Sequence, residues 1–254
     1  SKKALTAAQV TDDGTCIICC GWDCAITVYD ASTGALLRRL DDAHDAAMSC
    51  GRLRGAVFCS GAWDATVKLW AVSDLCGAED CIGPFLELVD HEAPVTCVGL
   101  SANAALVVAG ADDGALLIWD ARPMSGDRVP VGDAIISLEA PVVCVDICSD
   151  RILAAAEDGV IKEVALDGGE LRRFDVTGEP RCLVVAEAAR GALHIVVGRA
   201  DGSLALIAWD EHEAPAERYV AEHHGAAVGA VTVAEGGILI SCADDCSAAT
   251  WDFV

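Results

Sequence analysis

ALVVAGADDGALLIWD, residues 105–120, consists of two apolar runs of strand length joined by a turn and closed by a Trp-Asp pair. Neither run reaches helix length, and the Asp112-Asp113-Gly114 turn supplies the residues that a tight connection between antiparallel strands demands. The same phrase recurs on both sides. Trp209-Asp210 and Trp251-Asp252 repeat the closing pair, with Tyr29-Asp30 and Trp70-Ala71 as eroded versions. The turn residues Asp23, Asp64, Asp113, Asp158, Asp201 and Asp245 follow one another at intervals of 41, 49, 45, 43 and 44. A period of forty-odd residues holding three or four short strands is that of a propeller blade, in which each sheet buries its faces against its neighbours.

Six units follow, with approximate bounds 1–40, 41–90, 91–138, 139–174, 175–222 and 223–254. In the first, ALTAAQV (4–10), TCIICCG (15–21), AITVYD (25–30) and ALLRRL (35–40) are the strands, and no stretch of the chain sustains a helical period. The expected fold is all-β, a single propeller domain. The sequence opens on the first strand of a unit and ends at the third strand of another, so we expect a ring of seven blades lacking an N-terminal blade or a closing strand.

Within a unit, four residue types can form one hydrogen-bonded brace: a His ahead of the first strand, a Ser or Thr on the second, the turn Asp, and the Trp of the third. His44, Ser60, Asp64 and Trp70 complete the set in the second unit, and His224 (or His223), Ser241, Asp245 and Trp251 in the sixth. The third keeps His91, Asp113 and Trp119 but has Ala109 in the hydroxyl position. Unit four has Glu139, Ala155 or Ala156 and Val164 at these places, and unit five has Trp209 two residues late, which implies a bulge. These two blades are expected to be the least rigid. A recurring Ser-His-Asp set with Trp and no G-x-S-x-G elbow reads as a brace, not as a hydrolase triad.

The residue before each turn Asp lies where the loops of the blades converge: Trp22, Trp63, Asp112, Glu157, Ala200 and Asp244. Exposed Trp is uncommon and enriched at binding hot spots. Trp22 and Trp63 are therefore expected to anchor a partner whose basic groups face Asp112, Glu157 and Asp244. The alternative is that both indoles lie over adjacent loops as packing.

The chain carries 40 acidic and 17 basic residues, for a net charge of −23. Such a surface repels phosphate backbones and anionic headgroups, which excludes direct nucleic-acid binding and membrane insertion and favours protein partners with a basic or aromatic-containing segment. Solubility alone is a second reading of the same charge. No apolar run approaches a membrane span and no secretory signal is present, so a cytoplasmic protein is expected. The fourteen Cys are read as reduced, small buried residues. Pairs such as Cys16/Cys19, Cys20/Cys24, Cys144/Cys148 and Cys242/Cys246 have metal-like spacing, but most lie in or beside strands whose alternate side chains diverge; no metal or cofactor is expected. Cys76 and Cys81, in an apparent loop from Ala71 to Pro84, leave a redox or metal role open.

The whole chain resembles the WD-repeat family. Within it, HDAAMSCGRLRGAVFCSGAWDATVKLW (44–70), FLELVDHEAPVTCVGLSANAALVVAGADDGALLIWD (85–120) and Gly178-Glu179-Pro180-Arg181-Cys182 resemble the C-terminal propeller of BEACH-domain proteins. That resemblance implies a noncatalytic scaffold in membrane trafficking and receptor-proximal signalling, peripheral to membranes through other domains. A ubiquitin-ligase substrate receptor is the alternative; recognition of phosphorylated segments needs clustered Arg, and none stands at the six face positions. A propeller hydrolase would need acidic residues on the innermost strands, where Asp146 stands alone.

Overall fold

The computed structural model describes residues 3–77, 82–121, 134–148, 151–187, 193–209, 216–234 and 238–252. Among the described residues, six antiparallel sheets follow one another along the chain. The first comprises β1 (Leu5–Val10), β2 (Cys16–Gly21), β3 (Ile26–Asp30) and β4 (Leu36–Leu40), and the second β5 (Met48–Arg54), β6 (Val57–Ala62), β7 (Val67–Ala71) and β8 (Leu86–Leu88). The third is β9 (Val95–Leu100), β10 (Leu106–Ala111), β11 (Ala115–Asp120) and β12 (Ala134–Ser137). The fourth is β13 (Val142–Cys148), β14 (Arg151–Ala156), β15 (Val160–Ala165) and β16 (Glu170–Asp175). The fifth is β17 (Pro180–Glu187), β18 (Leu193–Arg199), β19 (Ser203–Trp209) and β20 (Ala216–Glu222), and the sixth is the three-stranded set β21 (Val228–Ala234), β22 (Ile238–Ala243) and β23 (Ala248–Asp252). Among the described residues this is a β-propeller arrangement of six blades.

One helix, α1 (Val72–Cys76), departs from the sequence reading, which placed a loop there. Its five residues are too few for a periodic signal. Leu75 nevertheless reaches the core between the first two blades and holds the turn in place.

The core is divided among the seams. Among the described residues five apolar clusters occur, one between each successive pair of blades. Period-two alternation directs each strand to two seams at once: on β14, Ile152, Ala154 and Ala156 face blade three, whereas Leu153 and Ala155 face blade five. Each innermost strand carries one extra residue against its neighbour, between Leu5 and Ala7 in blade one and between Met48 and Cys50 in blade two. The hydroxyls at three of these bulges tie blades together: Thr6 donates to the Met48 carbonyl at 2.9 Å, Ser49 to that of Val95 and Thr96 to that of Val142. Cys thiols extend the pattern, Cys144 toward the Leu183 carbonyl at 3.5 Å and Cys182 toward Val228 at 3.6 Å. The Cys content is thus largely a seam device, a small side chain that fills a narrow gap and still donates weakly.

Candidate protein-binding face

All six turns have the same construction. The turn Asp accepts the N–H of the residue two positions on, at 3.0 Å for Asp64 and Thr66 and 2.9 Å for Asp245 and Ser247. The intervening residue is left-handed in each, including the non-glycine Cys24, Ala65 and Cys246. The residue before each Asp donates its N–H to the carbonyl just ahead of the innermost strand: Trp22 to Ala4, Trp63 to Ala47, Asp112 to Pro94, Glu157 to Pro141, Ala200 to Glu179 and Asp244 to Ala227. The six positions are therefore equivalent and lie on one face of the array.

Beneath that face the brace of blade two contains all four groups. His44 Nδ1 lies 3.0 Å from Asp64, Nε2 lies 2.8 Å from the Ser60 hydroxyl, and the Trp70 indole donates to Ser60 at 2.9 Å. With Nδ1–H donating to Asp64, Nε2 accepts from Ser60, whose oxygen accepts from Trp70. Burial depresses the His44 pKa despite the adjacent carboxylate. Burial also raises the Asp64 pKa, but hydrogen bonds from Thr66 and His44 and the charge of His44 outweigh it, and the net direction is downward.

The other blades depart from the expected set. In blade six, His224 rather than His223 is buried; it meets Ser241 at 2.8 Å but reaches the turn through Ser247 at 2.7 Å, with Asp245 3.8 Å away. Hydrogen bonds from the Ser247 hydroxyl and from the Gly225 and Ser247 N–H groups hold Asp245 down to about 2. In blade three, where Ala109 removes the hydroxyl, Trp119 donates instead to Asp90 at 2.8 Å, and His91 packs edge-on against that indole without hydrogen-bonding Asp113. Asp90 was missed in the sequence, although a carboxylate next to His91 was the available signal.

Blades four and five carry substitutes that the repeat pattern could not show. Glu163, fully buried, receives Arg151 at 2.6 Å and the Nε of Arg172, and the Arg172 guanidinium lies 4.2 Å over the Trp209 ring. In blade five, buried Arg199 pairs with Glu217, which also accepts from Thr177 at 2.9 Å. The expectation of loose blades therefore loses its basis. The late Trp209 also has another origin: the β18–β19 ladder keeps register from Leu193–Trp209 to Gly198–Leu204, and Ile207 fills the usual Trp site. A shift between Leu206 and Ile207 does occur against β20, but blades one and four have it at the same position.

On the surface, Trp22 and Trp63 touch, with ring centroids 5.8 Å apart and planes at 47°. They are 46% and 50% exposed, so the indoles contact each other while keeping much of their area open to water. Asp112, Glu157 and Asp244 are exposed on the same face, and a shallow cleft of about 470 Å³ is lined by Ala140, Glu157, Asp158, Gly178 and Glu179. The loop segments of this face (22–25, 41–47, 63–66, 89–94, 112–115, 138–141, 157–160, 176–179, 200–203, 223–227 and 244–247) contain no Lys or Arg. Lys3 precedes the first strand, while Arg39 is held by Asp23 and Asp41, and Arg181 by Glu179. Apart from Lys2 and Lys3 ahead of β1, the loops of this face are acidic, with an aromatic pair at one side.

Alternative chemistry finds poor support in the geometry. Ser60 and Ser241 are fully buried, so no substrate can reach their hydroxyls. Asp146 is spanned across the axis by Arg52 at 3.0 Å and accepts the Val185 N–H at 3.1 Å, which ties blades two, four and five together. Cys76 lies beside Cys16 in the first seam, where burial, and then Cys16, push its thiol up to about 12; a thiol so reluctant to ionise is a poor redox group. Cys81 and Asp210 lie outside the described residues. Among the described residues no group of three metal-ligating side chains gathers, and no helix is long and apolar enough to cross a membrane.

Residues 83–120 match the family described as WD domain, G-beta repeat. Over 214 residues, 70% of the chain, it is 21% identical to the WD repeat-containing protein 55 homolog of Dictyostelium discoideum. Over 124 residues, 48% of the chain, it is 27% identical to the pre-mRNA-splicing factor cwf17 of Schizosaccharomyces pombe. These alignments cover 50% and 34% of those relatives' own lengths. Among solved structures, a chain of a mitotic checkpoint complex crystal structure superposes with a TM-score of 0.81 over 98% of this chain and 74% of its own, at 18% identity, a likeness of fold.

Proposed function

Taking the chain as a WD-repeat propeller, we propose that it is a noncatalytic protein-interaction scaffold whose acidic face docks a basic segment of a partner, with Trp22 and Trp63 as the anchor. The observation that carries this reading is the exposed, mutually touching Trp pair on a face whose loops, apart from Lys2 and Lys3 ahead of β1, hold carboxylates and no Lys or Arg. Two indoles held against each other lose little freedom on binding, and their faces attract cationic or aromatic side chains. Long-range attraction from Asp112, Glu157 and Asp244 speeds the encounter with a positive segment and weakens as salt rises.

At the finer level we place the chain among BEACH-type trafficking and signalling scaffolds of the cytoplasm, on the resemblance of 44–70, 85–120 and 178–182. A BEACH domain elsewhere in the natural polypeptide is the corresponding expectation; an F-box-like helical segment there would instead favour the ligase receptor.

The binding reading is tested with a library of peptides rich in Arg, Lys and aromatic residues, matched against acidic scrambles, using Trp fluorescence and titration calorimetry. Basic peptides bind, binding weakens between 50 and 300 mM salt, and Trp63→Ala lowers affinity by roughly tenfold or more. Because Trp63 is half exposed, the same variant costs less than about 1 kcal/mol of stability. An unchanged dissociation constant in Trp63→Ala removes the anchor.

A further inference from the structure

The turn that carries Trp22 is held differently from the other five. Asp64, Asp113, Asp158, Asp201 and Asp245 accept the N–H two residues on at 2.9–3.1 Å, whereas Asp23 meets that of Ala25 at 3.4 Å. Asp64 and Asp245 also receive a hydroxyl from that residue, Thr66 at 2.7 Å and Ser247 at 2.6 Å, where blade one has Ala25. The second carboxylate oxygen of Asp64 takes buried His44 and the Asp45 N–H. On Asp23 the equivalent oxygen takes Arg39 instead.

Arg39 reaches that turn from the outer strand β4. Its Nη2 donates to Asp23 at 2.9 Å and its Nε to Asp41 at 2.7 Å, so two carboxylates share one edge of a single guanidinium. The three side chains are 41%, 31% and 66% exposed, which makes this a solvated ion pair and not a buried brace. An ammonium has no two parallel N–H groups to offer such a pair of acceptors, so the arrangement suits arginine and not lysine. Lys3, exposed just ahead of the Ala4 carbonyl that receives the Trp22 N–H, makes no ion pair among the described residues. The carboxylates in the turn beside Trp22, itself 46% exposed and touching Trp63, are thus filled by a guanidinium of the chain's own.

We propose that Arg39 is the internal occupant of an arginine subsite beside the Trp pair: an arginine of the docked segment displaces it, so Arg39 restrains docking while Asp23 and Asp41 select arginine over lysine. This rests on the reading of the face as a dock for basic segments and names the residue such a segment must carry. Exchange is inexpensive, because an exposed ion pair contributes little to stability and the released Arg39 returns to water. An Arg39 that merely braces the turn has the opposite consequence, since its loss would loosen Trp22 and weaken binding.

Two peptides of one aromatic-containing sequence, with every basic residue Arg in the first and Lys in the second, are titrated against the chain and its variants by Trp fluorescence at about 150 mM salt, where charges more than about 8 Å apart are largely screened. Arg39→Gln tightens the Arg peptide at least about threefold and the Lys peptide less than about twofold. Arg39→Lys, which keeps the charge and loses the fork, also tightens the Arg peptide. Arg173→Gln removes the same charge from an exposed residue of blade four and changes both affinities by less than about twofold. With Asp23→Asn and Asp41→Asn in place, Arg39→Gln brings no gain. Because the substituted side chains are exposed, the urea midpoints stay close to that of the parent. Weaker or unchanged binding of the Arg peptide by Arg39→Gln overturns the proposal and leaves Arg39 a brace of the turn. Equal gains for both peptides, or an equal gain in Arg173→Gln, reduce the effect to net charge and overturn it as well. Failure of the parent and every variant to bind either peptide removes the docking reading itself, and the subsite with it.

Discussion

Replacing Ser60 by Ala removes a single oxygen, yet that oxygen connects two buried nitrogens. The Trp70 indole donates to it at 2.9 Å and His44 Nε2 meets it at 2.8 Å. Both partners are buried, so neither recovers its bond from water. An unsatisfied buried polar group costs about 1–3 kcal/mol, which places Ser60→Ala at roughly 2–5 kcal/mol out of a typical total of about 5–15. Blade three shows how the loss can be relieved: Ala109 already lacks the hydroxyl, and Trp119 turns to Asp90, the residue before His91. The corresponding residue in blade two is Ala43, which has no acceptor on its side chain. Ser60→Ala should therefore be costly alone, and Ala43→Asp should recover at least about 1 kcal/mol in that background while giving no gain in the parent chain. Urea denaturation of the four proteins closes a double-mutant cycle. A cost below about 0.5 kcal/mol for Ser60→Ala, or strict additivity of the two changes, would refute the hydrogen-bond account of the brace.

Burial depresses the pKa of His44 and His91, so both are neutral in the folded chain while the unfolded chain protonates near 6.5. The unfolded state then binds more protons as pH falls below 6.5, so stability declines there, by at most about 1.4 kcal/mol per pH unit for each imidazole; His44→Gln should flatten the dependence, and an equally steep profile would count against it. Glu163→Ala leaves Arg151 and Arg172 without their buried carboxylate and should cost about 3 kcal/mol, read from the urea midpoint, with loss of the Arg172 contact to Trp209 visible as a fluorescence change. Gly61→Ala forces a methyl into the Cys50, Val95 and Val98 side chains at the seam and should destabilise by about 1–3 kcal/mol, whereas a neutral outcome would mean that the seam relaxes freely.

The all-β propeller was legible because its signals are local: a turn Asp with the residue after it left-handed, and a Trp six residues beyond the Asp, both set within one hairpin. The Trp22–Trp63 contact was less accessible. The sequence placed both residues on neighbouring blades, but the 5.8 Å separation depends on the angle at which the sheets meet, which no residue spacing encodes. Substitution of one brace by another was the least visible. Glu163 lies on a strand whose repeat pattern has only Val164 in the Trp position, and its partners sit on β14 and β16, so the ion network crosses three strands. The five-residue α1 escaped for the opposite reason, since its one buried side chain, Leu75, gives no period to detect.

The two kinds of brace have different consequences for the face above them. In blade two the turn Asp is itself part of the network: Asp64 accepts from His44, from the Asp45 N–H at 2.9 Å and from Thr66, so the adjacent Trp63 is held by the same bonds that stabilise the blade. In blade four the network lies farther along the sheet, on Glu163, and Asp158 is held through the Val160 N–H at 3.1 Å, leaving the neighbouring Glu157 beside an open cleft. A contacting indole pair thus stands at one part of the face and carboxylates beside an open cleft at another. A docked segment would gain specificity from the paired indoles, whose contact lowers the cost of ordering them, and electrostatic attraction from the carboxylates beside the cleft. Disturbing the brace of blade two should therefore lower affinity through Trp63 even without touching the surface, whereas disturbing Glu163 should change stability far more than binding.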